Sequence, residues 1–283
     1  MIYKRMNFAV ATVALSALLA VGQGARAAED MPSMSGMDHG NMQHEAAPPA
    51  EARDPDAYSG GYDFGVIAPH AMSDQAYMGG LMVNRLEAVQ SRDNAYSQFS
   101  LQSWYGKDYD RLVAKAEGEV DDGKLQHART ELLWSHAVAA YWNSQLGVRH
   151  DSGVEPEQNW LALGVQGLSP YWFEVDAAVY VGEQGHTAAR LEAEYELLLT
   201  QKLIVQPSIE ANFYGQPDAA RALGSGLSGL TTGLRLRYEI RREFAPYVGV
   251  EWSGKLGGTA DYARAAATPT SETNVVAGIR FWF

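Results

Sequence analysis

Methionine and histidine are concentrated in one short N-terminal stretch that has no hydrophobic periodicity. The stretch MPSMSGMDHGNMQHE, residues 31–45, holds four of the nine methionines and two of the seven histidines. Thioether sulfur is a soft ligand that selects Cu(I), and imidazole binds copper as Cu(I) or Cu(II). The spacing of one or two residues between donors predicts a copper-binding segment with these ligands: Met31, Met34, Met37, His39, Met42 and His44. The alternative is a low-complexity linker in which methionine is merely tolerated, although such linkers favour Pro, Glu, Ser, Gln and Lys.

Composition restricts soft-metal binding to methionine and histidine side chains. The chain contains no cysteine, which excludes disulfides, thiolate metal sites and cysteine nucleophiles. Its formal net charge is -12, so a nucleic-acid partner is not expected and cations are favoured.

The N-terminal region reads as a signal peptide followed by a tail. Lys4 and Arg5 precede an apolar run that is too short to span a bilayer, and the small-residue pattern Ala25-Arg26-Ala27 follows it. We therefore expect residues 1–27 to be a signal peptide. Residues 28–57 are rich in proline and show no alternation, which predicts a disordered tail. Residues 58–283 are assigned to the domain whose strand pattern predicts an outer-membrane β-barrel.

From about Tyr77 onward, apolar and polar residues alternate in segments separated by turn-forming clusters. In residues 173–181, for example, one parity is apolar throughout and the other carries Glu174 and Asp176. The pattern predicts an all-β fold of about twelve strands, with eight to fourteen as alternatives. The predicted strands are residues 77–90, 94–107, 110–118, 125–137, 141–151, 159–167, 171–182, 187–199, 202–214, 230–240, 246–256 and 273–283.

Three features favour a transmembrane antiparallel β-barrel over a soluble β-sandwich. The last predicted strand ends on Phe283, and a terminal aromatic residue is typical of outer-membrane barrels. Connections after even-numbered strands are short, whereas residues 215–229 and 257–272, after odd-numbered strands, form long loops. Aromatic residues at strand ends match the girdles at membrane interfaces, and they are Trp104, Tyr105, Tyr141, Trp142, Tyr171, Trp172 and Tyr247. An even strand number places both termini, and hence the tail, in the periplasm.

In a membrane barrel the apolar parity faces outer-membrane lipid and the polar parity faces the lumen. The carboxylates expected in the lumen are Glu174, Asp176, Glu192, Glu194, Glu196 and Glu210. The arginines expected there are Arg149, Arg190, Arg235, Arg237 and Arg280. Such a set either fills the interior with satisfied ion pairs or forms a path that attracts cations. His70, Met72, Met78 and Met82 are either packing residues or an inward extension of the copper ligands.

No catalytic motif is found in the sequence. Ser135 and His136 are neighbours that would point to opposite faces of a strand, so they cannot act as nucleophile and base. There is no HExxH, GxSxG or Gly-rich phosphate loop. We expect no enzymatic activity, with an outer-membrane hydrolase built from distant residues as a remote alternative.

Several segments resemble the copper resistance protein B family of bacterial outer-membrane proteins. They are YWNSQLGVRHD, LGVQGLSPYWFEVDAAVYVG, ARLEAEYELLLTQKLIVQPSIEANFYG, GLRLRYEIRREFAPYVGVEW and the ending VAGIRFWF. The resemblance covers about residues 77–283, and members of the family typically carry a Met- and His-rich tail. Here the tail is short, the turn before Tyr141 lacks the proline found before Tyr171, and His150 stands where a tyrosine is common.

The resemblance implies an outer-membrane barrel that acts in copper tolerance with periplasmic copper-handling proteins. On this basis we expect a protein that binds copper through its tail and helps to sequester it or move it across the outer membrane. A general diffusion porin with an incidental tail is the competing hypothesis.

Overall fold

The computed structural model describes residues 76–92 and 94–283. The predicted signal peptide, the tail and its six copper ligands, and His70 and Met72 lie outside these residues. Among the described residues, no helix is long and apolar enough to cross a membrane.

The described chain is almost entirely antiparallel sheet. Its strands are β1 (Met78–Gln90), β2 (Ala95–Gly106), β3 (Asp110–Asp121), β4 (Lys124–Ala139), β5 (Trp142–Gly153), β6 (Gln158–Ser169), β7 (Phe173–Gly182), β8 (Thr187–Glu194), β9 (Leu197–Leu198), β10 (Leu203–Tyr214), β11 (Gly226–Tyr238), β12 (Phe244–Lys255) and β13 (Ser271–Trp282). One α-helix, α1 (Gly257–Ala265), follows β12.

The sheet closes on itself because β1 pairs with β13 as well as with β2. At the seam, the backbone N–H of Leu81 donates to the carbonyl of Phe283, and the N–H of Phe283 donates to Leu81. Closure leaves no open edge, so the backbone groups are satisfied without water, as a spanning β-structure requires. The predicted transmembrane barrel of about twelve strands is confirmed.

The predicted strand 187–199 is interrupted at Tyr195 and Glu196, so that β8 and β9 together form one of the twelve barrel strands. Tyr195 donates its backbone N–H to the carbonyl of Pro207 on β10, at 3.1 Å. Pro207 has no N–H with which to return the bond, so the ladder is broken at this point.

The barrel has two different ends. The terminal end, where β1 begins and β13 finishes, carries short connections such as residues 107–109, 140–141 and 170–172. The opposite end, called the loop end, carries residues 215–225 and 256–270. Within the second of these, predicted only as a loop, the structure contains α1; its alanines favour a helix, and Arg264 lies in its last turn, where the helix dipole favours a cation.

The outer face is apolar along its length. Leu146 and Val148 on β5 lie beside Leu163 and Leu161 on β6, and all four are exposed. Large exposed apolar side chains on the outside of a closed sheet match a surface solvated by lipid.

The aromatic girdle is only partly as predicted. Tyr105, Tyr141, Tyr171 and Trp172 are exposed near the terminal end, as girdle residues should be. Tyr247 instead points into the lumen and is buried, because its neighbour Val248 occupies the outward parity. Trp104 also faces inward, for the same reason, since Tyr105 takes the outer face, and Arg111 lies over its ring at 4.8 Å.

Candidate functional site

The strongest concentration of functional side chains in the described residues is the charged interior of the barrel. Arg85 on β1 donates to Glu192 on β8 at 2.9 Å and to Glu194 at 3.0 Å. β1 and β8 are not neighbours in the sheet, so these bonds cross the lumen. Inward-facing charges from distant strands therefore meet inside the barrel.

Five of the six carboxylates expected in the lumen are held by Arg or Lys. Asp176 pairs with Lys115 at 2.6 Å, and Glu196 pairs with Arg237 and Arg280 at 2.8 and 2.9 Å. Glu192 and Glu194 share Arg85, and Glu210 pairs with Arg190. For Glu174, no ion-pair partner within 4.0 Å is found among the described residues. It lies exposed at the start of β7, at the terminal end.

Arg190 is the centre of the cross-lumen network, which we call the Arg190 layer. Its guanidinium lies 2.9 Å from Glu192, 2.9 Å from Glu210 and 3.2 Å from Glu117. Glu117 lies on β3, across the lumen from β8, and also pairs with Arg129 at 2.6 Å. A guanidinium surrounded by carboxylates in a nearly buried position satisfies each partner only while the whole group stays assembled.

A second network lies near the seam of the barrel. Glu87 has a fully buried side chain and accepts from Arg235 Nε at 3.0 Å and from the Tyr247 hydroxyl at 2.9 Å. Arg235 also donates to Glu251 at 2.7 Å. Both carboxylates are therefore bound by one guanidinium, and this group of two anions and one cation keeps a net negative charge.

Side chains fill the lumen toward the loop end, and this filling extends along β3 to Val113, nearer the terminal end. Trp160, Tyr180, Leu133, Val113, Ala162 and Ala188 form a buried apolar cluster. Arg149 lies over the Tyr180 ring at 4.4 Å and makes a two-point ion pair with Asp151, at 2.7 and 2.9 Å. Asp151 also accepts from Trp160 Nε1 at 2.9 Å. Aromatic rings and a bound guanidinium thus occupy the space that a pore would need.

Several members of the networks were not singled out from the sequence: Arg85, Glu87, Lys115, Glu117, Arg129 and Glu251. The signal was available for some of them, because Arg85 and Glu87 alternate in β1, and Lys115 and Glu117 alternate in β3. Which partner each would meet depends on contacts between distant strands.

The described residues do not offer an evident copper site. No group of three or more His, Asp or Glu side chains among them could hold a metal ion. Of the two methionines named as an inward extension that the structure describes, Met78 is exposed at the start of β1 and Met82 lies beside the lumen cavity. The Met82 sulfur accepts from Arg280 at 3.7 Å, and a guanidinium at the sulfur opposes the approach of a second cation.

The pair Ser135 and His136 has the geometry expected of strand neighbours. Ser135 is buried inside the barrel, whereas His136 lies exposed and its Nδ1 is 2.8 Å from Asp110. Trp134 Nε1 donates to the same carboxylate. Ser135 and His136 therefore cannot act together on a substrate.

Comparison with known proteins gives one family. The family model described as copper resistance protein B precursor (CopB) matches residues 77–283. A copper resistance protein B homolog of Pseudomonas syringae pv. tomato is 41% identical over 258 residues, which is 88% of each chain. Copper resistance protein B of Escherichia coli is 43% identical over 220 residues, covering 78% of this chain and 74% of that one. Among solved structures, the NanC porin superposes with a TM-score of 0.49 at 10% identity, covering 71% of this chain and 98% of the porin.

Proposed function

This chain belongs to the copper resistance protein B family, and from that membership we propose that it binds copper through its Met- and His-rich tail and helps to sequester it or move it across the outer membrane. The observation that carries the proposal is the family match over the whole barrel, joined to a tail whose donors suit copper. Copper is the cargo in this proposal, carried as Cu(I) or Cu(II).

The proposed ligands are Met31, Met34, Met37, His39, Met42 and His44. The proposal places the terminal end of the barrel, and with it the tail, in the periplasm, where copper-handling proteins of that compartment would be its partners. The even number of barrel strands supports this orientation, since it puts both ends of the barrel chain on one side. The proposed donors precede β1 in the chain, so copper bound there would be tethered to the barrel by the residues between His44 and Met78.

We propose a binding role without a catalysed reaction. The relatives in Pseudomonas syringae and Escherichia coli are named for copper resistance, and Ser135 and His136 lie on opposite faces. A general diffusion porin is a weaker candidate, because the lumen charges are paired across the barrel and the loop-end half is filled.

The test compares three full-length forms expressed at equal level in cells that lack the native protein. One is unchanged, one carries Leu at Met31, Met34, Met37 and Met42 with Ala at His39 and His44, and the third is a matched control. The control carries Ala at Ser33, Ser35, Asn41 and Gln43, which changes the same segment and keeps every proposed donor.

We expect the donor-free form to lose copper tolerance and to alter cell copper content, while the control behaves as the unchanged chain. Copper bound per purified protein, measured with Cu(I) and Cu(II) separately, should fall in the donor-free form alone. Equal tolerance, equal copper content and equal binding in all three forms would sink the tail proposal.

A further inference from the structure

Two lumen cavities adjoin at Gln102 and Glu174 and are lined mainly by residues of the terminal-end half. One has a volume of about 150 Å³ and reaches Arg190 and Glu117, and the other, beside Tyr141, has a volume of about 440 Å³. Beyond the Arg190 layer lies the apolar cluster around Trp160 and Tyr180, where side chains pack in contact. The interior is therefore a vestibule that ends at the Arg190 layer.

The loop end carries a second closure, formed by residues 215–225, which we call the strap. The strap connects β10 and β11 and contains the 3-10 turn Ala219–Arg221, capped by the side chain of Asp218. On one side it is fastened to α1, since the backbone N–H of Gly224 donates to Thr259 Oγ1 at 2.8 Å. The strap is thus anchored at its base by the helix that follows β12.

On its other side the strap is bonded to the β5–β6 connection by the Arg221 side chain. Arg221 is 7% exposed. Its Nη2 donates to the carbonyl of Pro156 at 2.5 Å, and its Nη1 lies 3.7 Å from Asp151. Asp151 is the residue already held by Arg149 and Trp160 in the filled half of the lumen. Arg221 therefore links the strap to the internal cluster.

The contact between the strap and the β5–β6 connection can be released without breaking the sheet. Within the described residues the strap has no ladder with β5 or β6. Its hydrogen bonds between backbone groups are internal, as between Asp218 and Leu223, or run from Gly215 at its base to Thr187 on β8. Parting the strap from the β5–β6 connection breaks side-chain bonds and leaves every barrel strand paired. A local opening of this kind requires much less free energy than unfolding of the sheet.

We propose that the strap is a latched lid: Arg221, bound to Pro156 and Asp151, closes the loop end of the lumen, and release of Arg221 exposes the filled half of the barrel to that side. The proposal concerns access of water-soluble ions and small solutes to the lumen. It does not depend on copper binding by the tail, so the two proposals fail independently.

Because the chain contains no cysteine, labelling of a single introduced cysteine measures the solvent accessibility of that position alone. Single cysteines are placed by Ala162→Cys in the filled half, Asn84→Cys in the vestibule and Glu157→Cys on the exposed loop end. Each full-length protein is reconstituted in lipid vesicles and treated with a membrane-impermeant maleimide from either side. We expect Asn84→Cys to react from the terminal end, Glu157→Cys from the loop end, and Ala162→Cys very slowly from both.

The latch is then removed in the Ala162→Cys background. Arg221→Gln should raise the labelling rate from the loop end about tenfold to a hundredfold, as expected when hydrogen bonds to a charged group are lost from a local closure. Arg221→Lys, which keeps the charge, should raise it less. The matched control is Arg264→Gln, which breaks an exposed ion pair with Asp261 on α1 and should change nothing.

Folding is checked for each variant by its heat-dependent migration in gels, and labelling is scored on folded barrel only. If Arg221→Gln does not fold, Asp218→Ala removes the cap of the turn that carries Arg221 and is scored in the same way. Labelling of Ala162→Cys as fast as Glu157→Cys in the otherwise unchanged chain would overturn the proposal. So would unchanged labelling after loss of the latch.

Discussion

Arg235 gives the sharpest test of whether the barrel interior is dry. Its guanidinium is shared between Glu87, whose side chain is fully buried, and Glu251, which is 7% exposed. Arg235→Met keeps much of the volume and removes the charge, leaving two carboxylates without their cation. Removing one partner of a buried ion pair costs about 3–5 kcal/mol, and the upper part of this range applies because two anions are left.

Substitutions at other residues should change the free energy of unfolding by smaller, graded amounts. Tyr247→Phe removes one hydrogen bond to the Glu87 carboxylate and should lower the free energy of unfolding by about 1.5–3 kcal/mol. Adding Glu87→Gln to Arg235→Met removes one of the two stranded charges. The double variant should therefore be about 1–3 kcal/mol more stable than the sum of the single effects. Arg264→Met, in an exposed pair, should stay within about 0.5 kcal/mol of the unchanged chain.

The measurement is urea unfolding of the barrel in lipid vesicles, followed by tryptophan fluorescence and extrapolated linearly to zero denaturant. We predict that the loss in free energy of unfolding is largest for Arg235→Met, smaller for Tyr247→Phe and smallest for Arg264→Met. A loss below about 1 kcal/mol for Arg235→Met would mean that water solvates Glu87 and Glu251, and the account of a buried network held by Arg235 would be wrong.

Two further predictions concern the wall and the seam of the barrel. Gly147→Val should destabilise the barrel by at least about 1–3 kcal/mol, because a Cβ there would clash with the Leu132 carbonyl oxygen. Gly229→Ala, where a Cβ meets nothing within 4 Å, is the control in the same unfolding assay, and equal losses would contradict the packing argument. Deletion of Phe283 removes the paired backbone bonds to Leu81 and should reduce the amount of folded barrel in the membrane fraction, whereas Phe283→Tyr should not. Folded barrel is quantified by heat-dependent gel migration, and no difference between the two would show that the seam does not need its last residue.

The strands could be predicted because the lipid face imposes a strict period of two. Residues such as Val148 and Leu161 can be assigned outward from their own neighbours, without knowledge of the partner strand. The break in the strand at Tyr195 could not be predicted in this way. Its cause is Pro207, on the adjacent strand, and the effect of a missing N–H appears only when the register is known.

The inward carboxylates were accessible to the same reasoning, but their partners were not. Parity alone indicates that Glu192 faces inward, whereas its bond to Arg85 depends on how many strands the barrel has and how far they are staggered. Tyr247 shows that residue type near a strand end is also an incomplete guide to which face a side chain occupies. A tyrosine near a strand end suits a girdle, yet here its hydroxyl serves the buried Glu87.

The pairing of the lumen charges bears on where copper could go after the tail. A carboxylate that passes a cation onward needs free lone pairs, and Glu192, Glu196 and Glu210 already bind arginine. Glu174, at the terminal mouth, is the one of the six predicted carboxylates for which the described residues provide no ion-pair partner. Beyond it, an entering cation would have to compete with Arg85 and Arg190 for the carboxylates that these two residues already bind. The cation path therefore stays a prediction that the resting network opposes. If the tail binds copper and the strap is latched, as we propose, this lumen favours sequestration of copper over conduction through the barrel.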